Sequence, residues 1–366
     1  MSLTFQGCFN LVNVPYINSN NITNMPLCFQ GCNSLTDINI VAPNCTSITN
    51  IFDGCSSLTN AHIEFNKITN VVNLFYNCQN LVNVEWSVPN ATNMFQTFHN
   101  CRNLVNAPET PSSVIDMAAT FVYCYNLINA PVIPNGVVNM RDTFYNCNNL
   151  VDAPTIPNSV TNMLCTFSSC SNLVNVPVIP NSVIDLYRTF RDCSNLVNAP
   201  EIPDSVTNME GTFWGCQKLV SANRISNNVL TLSFTYASCS NLVNAPIIPN
   251  SVTNMAHTFA SCFNLTGNIN IYSQNIINAS NCFDITSLDK NVYIPFKYDN
   301  SEYTATYNSF IAAGYSTTER VNGVLLFDID PDIDLTDYTY TVSGTNDVEL
   351  YDYIGEGGYI TTPHLS

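Results

Sequence analysis

Cysteine recurs through this chain on a fixed beat. Cys32, Cys55, Cys78, Cys101, Cys124, Cys147, Cys170, Cys193, Cys216, Cys239 and Cys262 follow one another at a uniform 23 residues, and Cys8 precedes Cys32 by 24. Three residues before these twelve cysteines stands Phe in eleven cases, with Tyr236 the exception, and three residues after them stands Leu in all twelve. Seven before is apolar, usually Met (Met94, Met117, Met140, Met163), and ten before is usually Val (Val114, Val160, Val183). A unit this short cannot bury its own apolar face. Identical units must therefore stack, so that each coil covers the next and the repeated side chains form one continuous core.

The extended part of the unit is L-V-N-A-P-x-I-P, seen whole at Leu127–Pro134 and Leu173–Pro180. Proline cannot donate to a ladder, so only about two to four residues per coil are expected to pair, in a narrow parallel sheet. The rest of each coil should be turns, with at most a helical turn around T-F-x-x-C. The fold expected is a mainly β/irregular solenoid of about twelve 23-residue coils with short parallel strands. The segments SVTNMEGTFWGC (Ser205–Cys216), NITNMPLCFQGC (Asn21–Cys32) and NLVNAPVIPNSV resemble the BspA-like leucine-rich repeat and the related Mycoplasma-type surface-protein repeat. The resemblance covers about residues 3–285. It implies a leucine-rich-repeat solenoid, an extracellular place on a bacterial cell surface or a phage virion, and a role in adhesion.

Residues 289–366 lose the period and hold 13 acids against 3 bases, which places an expected boundary between a solenoid at 1–288 and a C-terminal capping module at 289–366. Runs such as VYIPFKY, TATYNSF, GVLLFDI, YTYTV and VELYDYI read as strands. YNSFIAAGY (Tyr307–Tyr315) reads as a short helix ended by Gly314, giving a small α+β or all-β module over the last coil. MSLTFQGC starts inside the repeat and has neither the basic nor the apolar region of a signal peptide. YIGEGGYITTPHLS resembles a turn that opens a further module. Both ends lead to the expectation of adjacent domains of a longer chain, or of a partner shielding the first coil.

A net charge of -17 leaves no basic surface to displace phosphate counterions, so a nucleic-acid partner is not expected. No apolar run approaches a membrane span, so insertion is not expected either. Asn or Asp stands eight residues before most ladder cysteines, and Thr stands four before from Thr97 through Thr258. Exposed, such a Thr column would suit ice or a polar ligand; at turns, Asn and Thr more simply satisfy backbone groups. In-register cysteines project in parallel, too far apart for disulfides, and read as small apolar wedges. Of those outside the uniform series, Cys165 is expected to be the exposed thiol. Cys28/Cys32 and Cys165/Cys170 lack a second pair or a His at zinc spacing, and no cofactor or metal is expected. The run Asp328, Asp330, Asp332, Asp334, Asp337 lacks the Gly of a calcium loop and reads as a strand with a wet face.

No nucleophile elbow, paired acid and base or phosphate loop is present, which argues against an enzyme. The alternatives are a binding module (including a phage tail receptor-binding part), a structural spacer, and an enzyme-associated repeat. Binding is favoured because solenoids present long surfaces through their variable positions. Those positions flank the ladder cysteines and hold Tyr76, His99, Tyr123, Tyr125, Tyr145, Arg191 and Trp214, and further back Arg141, Tyr187 and Arg188. Tyr123, Tyr125, Tyr145, Arg141, Arg188, Arg191 and Trp214 are expected to form one aromatic–basic patch, with Tyr123 and Tyr145 about 5–7 Å apart. The expected partner is a cell-surface protein or glycan, and an acidic sugar would suit rings and guanidinium forks together.

Overall fold

The computed structural model describes residues 4–266, 269–284, 290–293, 304–316, 324–327, 338–342 and 348–353. The chain winds as a stack of coils, and each coil turns the same set of positions inward. In the coil of Cys147 these are Val137, Met140, Thr143, Phe144, Cys147, Leu150 and Ile156, all buried. The ladder phenylalanines lie over one another from Phe5 to Phe259, with ring centroids 5.3–5.8 Å apart and near-parallel planes. That column is the axis of the core. Tyr236 takes its place in the column and is buried like the others.

Two lines of parallel bridges run along the stack and join most successive coils. One joins the residue eight before the cysteine, as in Asn93↔Asp116 and Asn139↔Asn162; the other joins the residue five after it, as in Asn106↔Asn129. Around the second line the strand length follows the prolines. Where none interrupts, five-residue strands form: β2 (Asp37–Val41), β3 (Asn60–Glu64) and β4 (Asn83–Ser87), in parallel register with β1 (Ile17–Asn18) at the edge. Between Asn106 and Asn244 the N-A-P-x-I-P sequence reduces pairing on this line to at most a single bridge between coils, because proline has no N–H to give. The expected two to four residues per coil therefore splits into five and at most one. No helical turn forms around T-F-x-x-C, which is built of consecutive turns.

The polar ladders are internal bracing. Asn or Asp eight before the cysteine accepts from the backbone N–H two residues on, as Asn93 does from Phe95 at 2.8 Å and Asp185 from Tyr187 at 2.8 Å. Thr97, Thr120, Thr143, Thr166, Thr189, Thr212, Thr235 and Thr258 are buried. Thr143 bonds the carbonyls of Met140 and, one coil back, Met117, at 2.7 and 3.0 Å. The Thr column is thus closed to any outside ligand. Outside the core, Asn60 donates to Asp37 at 2.7 Å and Asn83 to Asn60 at 2.8 Å, the side-chain version of the strand ladder.

All sixteen cysteines are free thiols. From Cys32 to Cys262 each ladder thiol donates to the carbonyl of the ladder aromatic one coil back, as Cys147 does to Phe121 and Cys193 to Phe167, both at 3.1 Å, and Cys262 to Tyr236. Burial pushes the Cys55 and Cys170 thiols up to about 12. Of the four cysteines outside the series Cys165 is the most accessible, as expected, being half-buried where Cys28, Cys45 and Cys282 are buried; within the ladder Cys8 is exposed. The carbonyl that covers a ladder thiol comes from the coil before, and Cys8 lies in the first.

The parallel ladder continues beyond residue 288. β5 (Ile269–Asn270) pairs with β6 (Lys290–Tyr293), and β6 with β7 (Val324–Phe327). Between them α1 (Thr304–Ala312) closes the stack: Phe310 extends the aromatic column from Phe283 at 6.2 Å, and the Tyr315 hydroxyl accepts from Phe283 N at 2.9 Å. TATYNSF, expected as a strand, is the start of this helix. Gly314, at φ 92°, ends it as expected. β8 (Tyr338–Val342) and β9 (Val348–Tyr353) form an antiparallel pair. The acidic run at 328–337 lies outside the described residues.

Candidate functional site

Each coil turns twice through the left-handed region, five residues and one residue before its cysteine, with φ between 50° and 79° from Leu27 to Ser261. These two positions, with the residues beside them, make the outer face over the Phe column. A β-carbon costs about 1–2 kcal/mol there, which Gly escapes and Asn or Asp largely offset. One before the cysteine the chain uses Gly or a short polar side chain: Gly7, Gly31, Gly54, Asn77, Asn100, Asn146, Ser169, Asp192, Gly215, Ser238 and Ser261. Tyr123 alone departs from this. Five before, the column is more varied: Leu27, Gln96, Ala119, Cys165, Arg188, Phe234 and His257 stand where Asn50, Asn73, Asp142 and Gly211 stand in other coils.

The expected patch resolves into two groups. In the first, Tyr76 and His99 stack at 4.6 Å, His99 meets the edge of Tyr123 at 5.5 Å, and Tyr123 meets Tyr145 at 5.8 Å and Tyr125 at 5.9 Å. Arg102 lies over Tyr125 at 5.8 Å. Burial holds His99 below its ordinary value, so its imidazole is neutral at pH 7 and packs as an aromatic ring. The Tyr123–Tyr145 separation falls in the expected range.

In the second group the Arg188 guanidinium lies 4.8 Å from the Tyr187 ring and 5.6 Å from Trp214, and Arg191 lies 4.3 Å from Trp214. Phe234 stacks on Trp214 at 5.1 Å, and His257 on Phe234 at 4.4 Å. Trp214 therefore lies between arginine of the coil before and Phe234 of the coil after. Gly211 and Gly215 flank it; a β-carbon on the first would crowd Arg188 and on the second would run into the Asp192 carboxylate. The coil that carries Trp214 is thus emptied at both left-handed positions to admit the charges of the coil before.

Ion pairing leaves the two groups unequal. Arg141 contacts Asp142 at 3.1 Å, and Arg191 contacts Asp192 at 3.1 Å but without hydrogen-bond geometry at Nε. Arg188 makes no ion pair among the described residues, and its buried Nε has no hydrogen-bond partner. The groups are parted by one coil with small side chains, Cys165, Ser168 and Ser169. Ser168 fills the column position between Tyr145 and Arg191 and is buried. Phe234 and His257 were not singled out from the sequence, although the 23-residue offset from Arg188 and Gly211 places them in the same column.

Among the described residues no cluster of three His, Cys, Asp or Glu side chains could hold a metal ion, and no helix is long and apolar enough to cross a membrane. Residues 2–105, 71–197 and 166–289 match the family described as the BspA type leucine rich repeat region. The chain belongs to the BspA-type leucine-rich-repeat family. A leucine-rich repeat protein from Bacteroides ovatus ATCC 8483 shares the fold, with 18% identity, a TM-score of 0.50, and 84% of this chain and 85% of that one covered. A leucine rich cell surface protein from Faecalibacterium prausnitzii A2-165 is similar over 83% of this chain and 84% of that one, with 20% identity and a TM-score of 0.47. No curated protein matches the chain.

Proposed function

We propose that this leucine-rich-repeat protein is a non-enzymatic recognition module of a bacterial cell surface, and that its outer turn face binds a cell-surface protein or glycan. The observation that carries this reading is the clustering of aromatic, basic and imidazole side chains at and beside left-handed positions: Tyr123, Arg188, Phe234 and His257, each in contact with another ring. The fold does not need them, since Asn, Asp, Ser or Gly serve the same turns elsewhere at lower cost. They lie outside the Phe column, beside Tyr145, Arg191 and Trp214, residue types that dominate binding energy when clustered.

The test is binding of labelled protein to bacterial and host cells and to a glycan array. Tyr145→Ala and Arg188→Ala should each weaken binding while the melting temperature stays unchanged. Variants that bind as wild type does would remove this face from consideration and turn attention to the C-terminal segment.

A further inference from the structure

We infer that Asn135 is a site of spontaneous modification: its side chain closes on the backbone nitrogen of Gly136 to a succinimide, which water opens to aspartate or isoaspartate. The modification is independent of what the turn face binds.

The turn after the second proline of the repeat carries the site. Val137 N closes it onto Pro134 O at 3.0 Å, as Val160 does onto Pro157 and Val183 onto Pro180, both at 3.1 Å. In the coils on either side the residue at the place of Gly136 is serine, whose hydroxyl donates to a carbonyl one coil back. Ser113 bonds Ala91 at 2.7 Å, Ser159 bonds Val137 at 2.5 Å, and Ser205 bonds Val183 at 2.6 Å. Gly136 has no side chain to tether it. A β-carbon there would lie 3.4 Å from Val114 O, the carbonyl that a serine would reach. Asn135 and Gly136 are both exposed, whereas Ser159, Ser182 and Ser205 are half-buried.

Ring closure needs a backbone amide free to act as nucleophile and an open approach to it. Among the described residues Gly136 N donates to no backbone carbonyl, and glycine sets no β-carbon in the path of the Asn135 side chain. The nitrogen bonds to Cγ of Asn135, and its proton leaves with the side-chain amide as ammonia. Water then opens the ring: cleavage at the main-chain carbonyl leaves isoaspartate, and cleavage at Cγ leaves aspartate. Neighbouring sequences show what is special here. Asn158 and Asn181 are exposed in the same turn, but Ser159 and Ser182 follow them with a β-carbon and a bound hydroxyl. Asp53–Gly54 has the glycine, yet Gly54 lies at φ 77° and gives its N–H to Tyr76 O at 2.8 Å, so its amide is engaged. The other Asn–Gly of the chain, Asn322–Gly323, lies outside the described residues. Either product adds a negative charge. Isoaspartate also takes the main chain through an extra carbon, which shifts the closure of Val137 on Pro134 and strains the bond from Val138 N to Ile115 O.

The test is to hold the folded protein in mildly alkaline buffer and follow each peptide by mass spectrometry, with hydroxylamine as the probe of the ring. Asn135 should lose ammonia while Asn158, Asn181 and Asp53 stay unchanged, and hydroxylamine should split the chain between residues 135 and 136. As isoaspartate accumulates, Val137 and Val138 should lose hydrogen-exchange protection. Gly136→Ser, which gives the turn the residue it has in the next coil, should bring Asn135 down to the rate of Asn158. Ser159→Gly should make Asn158 a second site. An Asn135 that stays intact in the folded protein but is converted in urea would show that the fold holds the turn shut. Conversion of Asn135, Asn158 and Asn181 at one rate would show that the glycine and the missing tether decide nothing. Either result overturns the site.

Discussion

Replacing Phe144 by Ala removes one ring from the middle of the aromatic column. Phe144 is fully buried, 5.6 Å from Phe121 and 5.5 Å from Phe167, so both neighbours lose a ring partner and a cavity opens between two coils. Emptying such a site costs ~3–5 kcal/mol, the loss of stacking included. A rigid stack offers little collapse, because the coils on either side are pinned by backbone bonds such as Phe144 N to Thr166 O at 2.9 Å and Phe121 N to Thr143 O at 2.9 Å. That favours the upper part of the range. The contacts are all between nearest neighbours, so the damage should be local. Native-state hydrogen exchange should show lost protection in the coils of Cys124, Cys147 and Cys170 and near-native protection around Phe29 and Phe259. Phe5 provides the contrast. It is half-buried and has a single ring neighbour, Phe29 at 5.3 Å, so Phe5→Ala should cost below about 2 kcal/mol. Equal costs at the two sites, or a uniform loss of protection along the array, would refute the nearest-neighbour account.

Thr143→Val should cost about 1 kcal/mol by urea unfolding, near the low end for a buried hydrogen bond, because the Met117 and Met140 carbonyls keep Thr120 and Thr166 as donors. Alkylation of the native protein should label Cys8 quickly, Cys165 slowly and the remaining cysteines only on unfolding; rapid labelling of Cys147 would contradict its burial. Stability should fall steeply above about pH 9. Burial raises Cys55 and Cys170 from 9.0 to about 12, so unfolded thiols release protons that the folded ones keep, and each should cost ~1.4 kcal/mol per pH unit across that window, whereas nothing is lost below it. Urea midpoints that stay level between about pH 8 and 10 would show that the thiols are not buried as protonated groups.

What the sequence disclosed was set by the period. Residues 23 apart lie over one another, so the Phe, Cys, Leu, Met and Thr columns could be drawn from the sequence, and so could the contact of Tyr123 with Tyr145, which stands one residue off that register in the next coil. Strand length was misjudged because one consensus was applied to all coils: DINIV, NAHIE and NVEWS carry no proline, and their backbones are free to pair over five residues. TATYNSF misled through composition, since Thr, Tyr and Phe favour strands, while stacking Phe310 on Phe283 and docking Thr306 on Ser273 favour the helix. The split of the patch turned on Ser168 and Cys165, two unremarkable residues whose smallness acquires meaning only beside Tyr145 and Arg191.

The left-handed positions carry the remaining step from fold to function. Read along the chain, Asn77, Asn100, Tyr123 and Asn146 look like ordinary variation at a surface site. Their φ values of 60°, 61°, 60° and 60° show one backbone conformation imposed on four side chains of unequal suitability. The coil therefore does not choose its occupant here; it tolerates Tyr123 at a cost that Asn would avoid. A position that is periodic in backbone and aperiodic in side chain is where a repeat protein can vary its surface without disturbing its core, because the buried residues on either side of Tyr123, Phe121 and Cys124, make the same contacts as their counterparts in neighbouring coils. Across such positions the side chains that depart from Gly and Asn are compensated by one another: Tyr123 meets His99 and Tyr145, and Phe234 stacks between Trp214 and His257, so the cost of each turn is partly offset by ring contacts that cross from coil to coil.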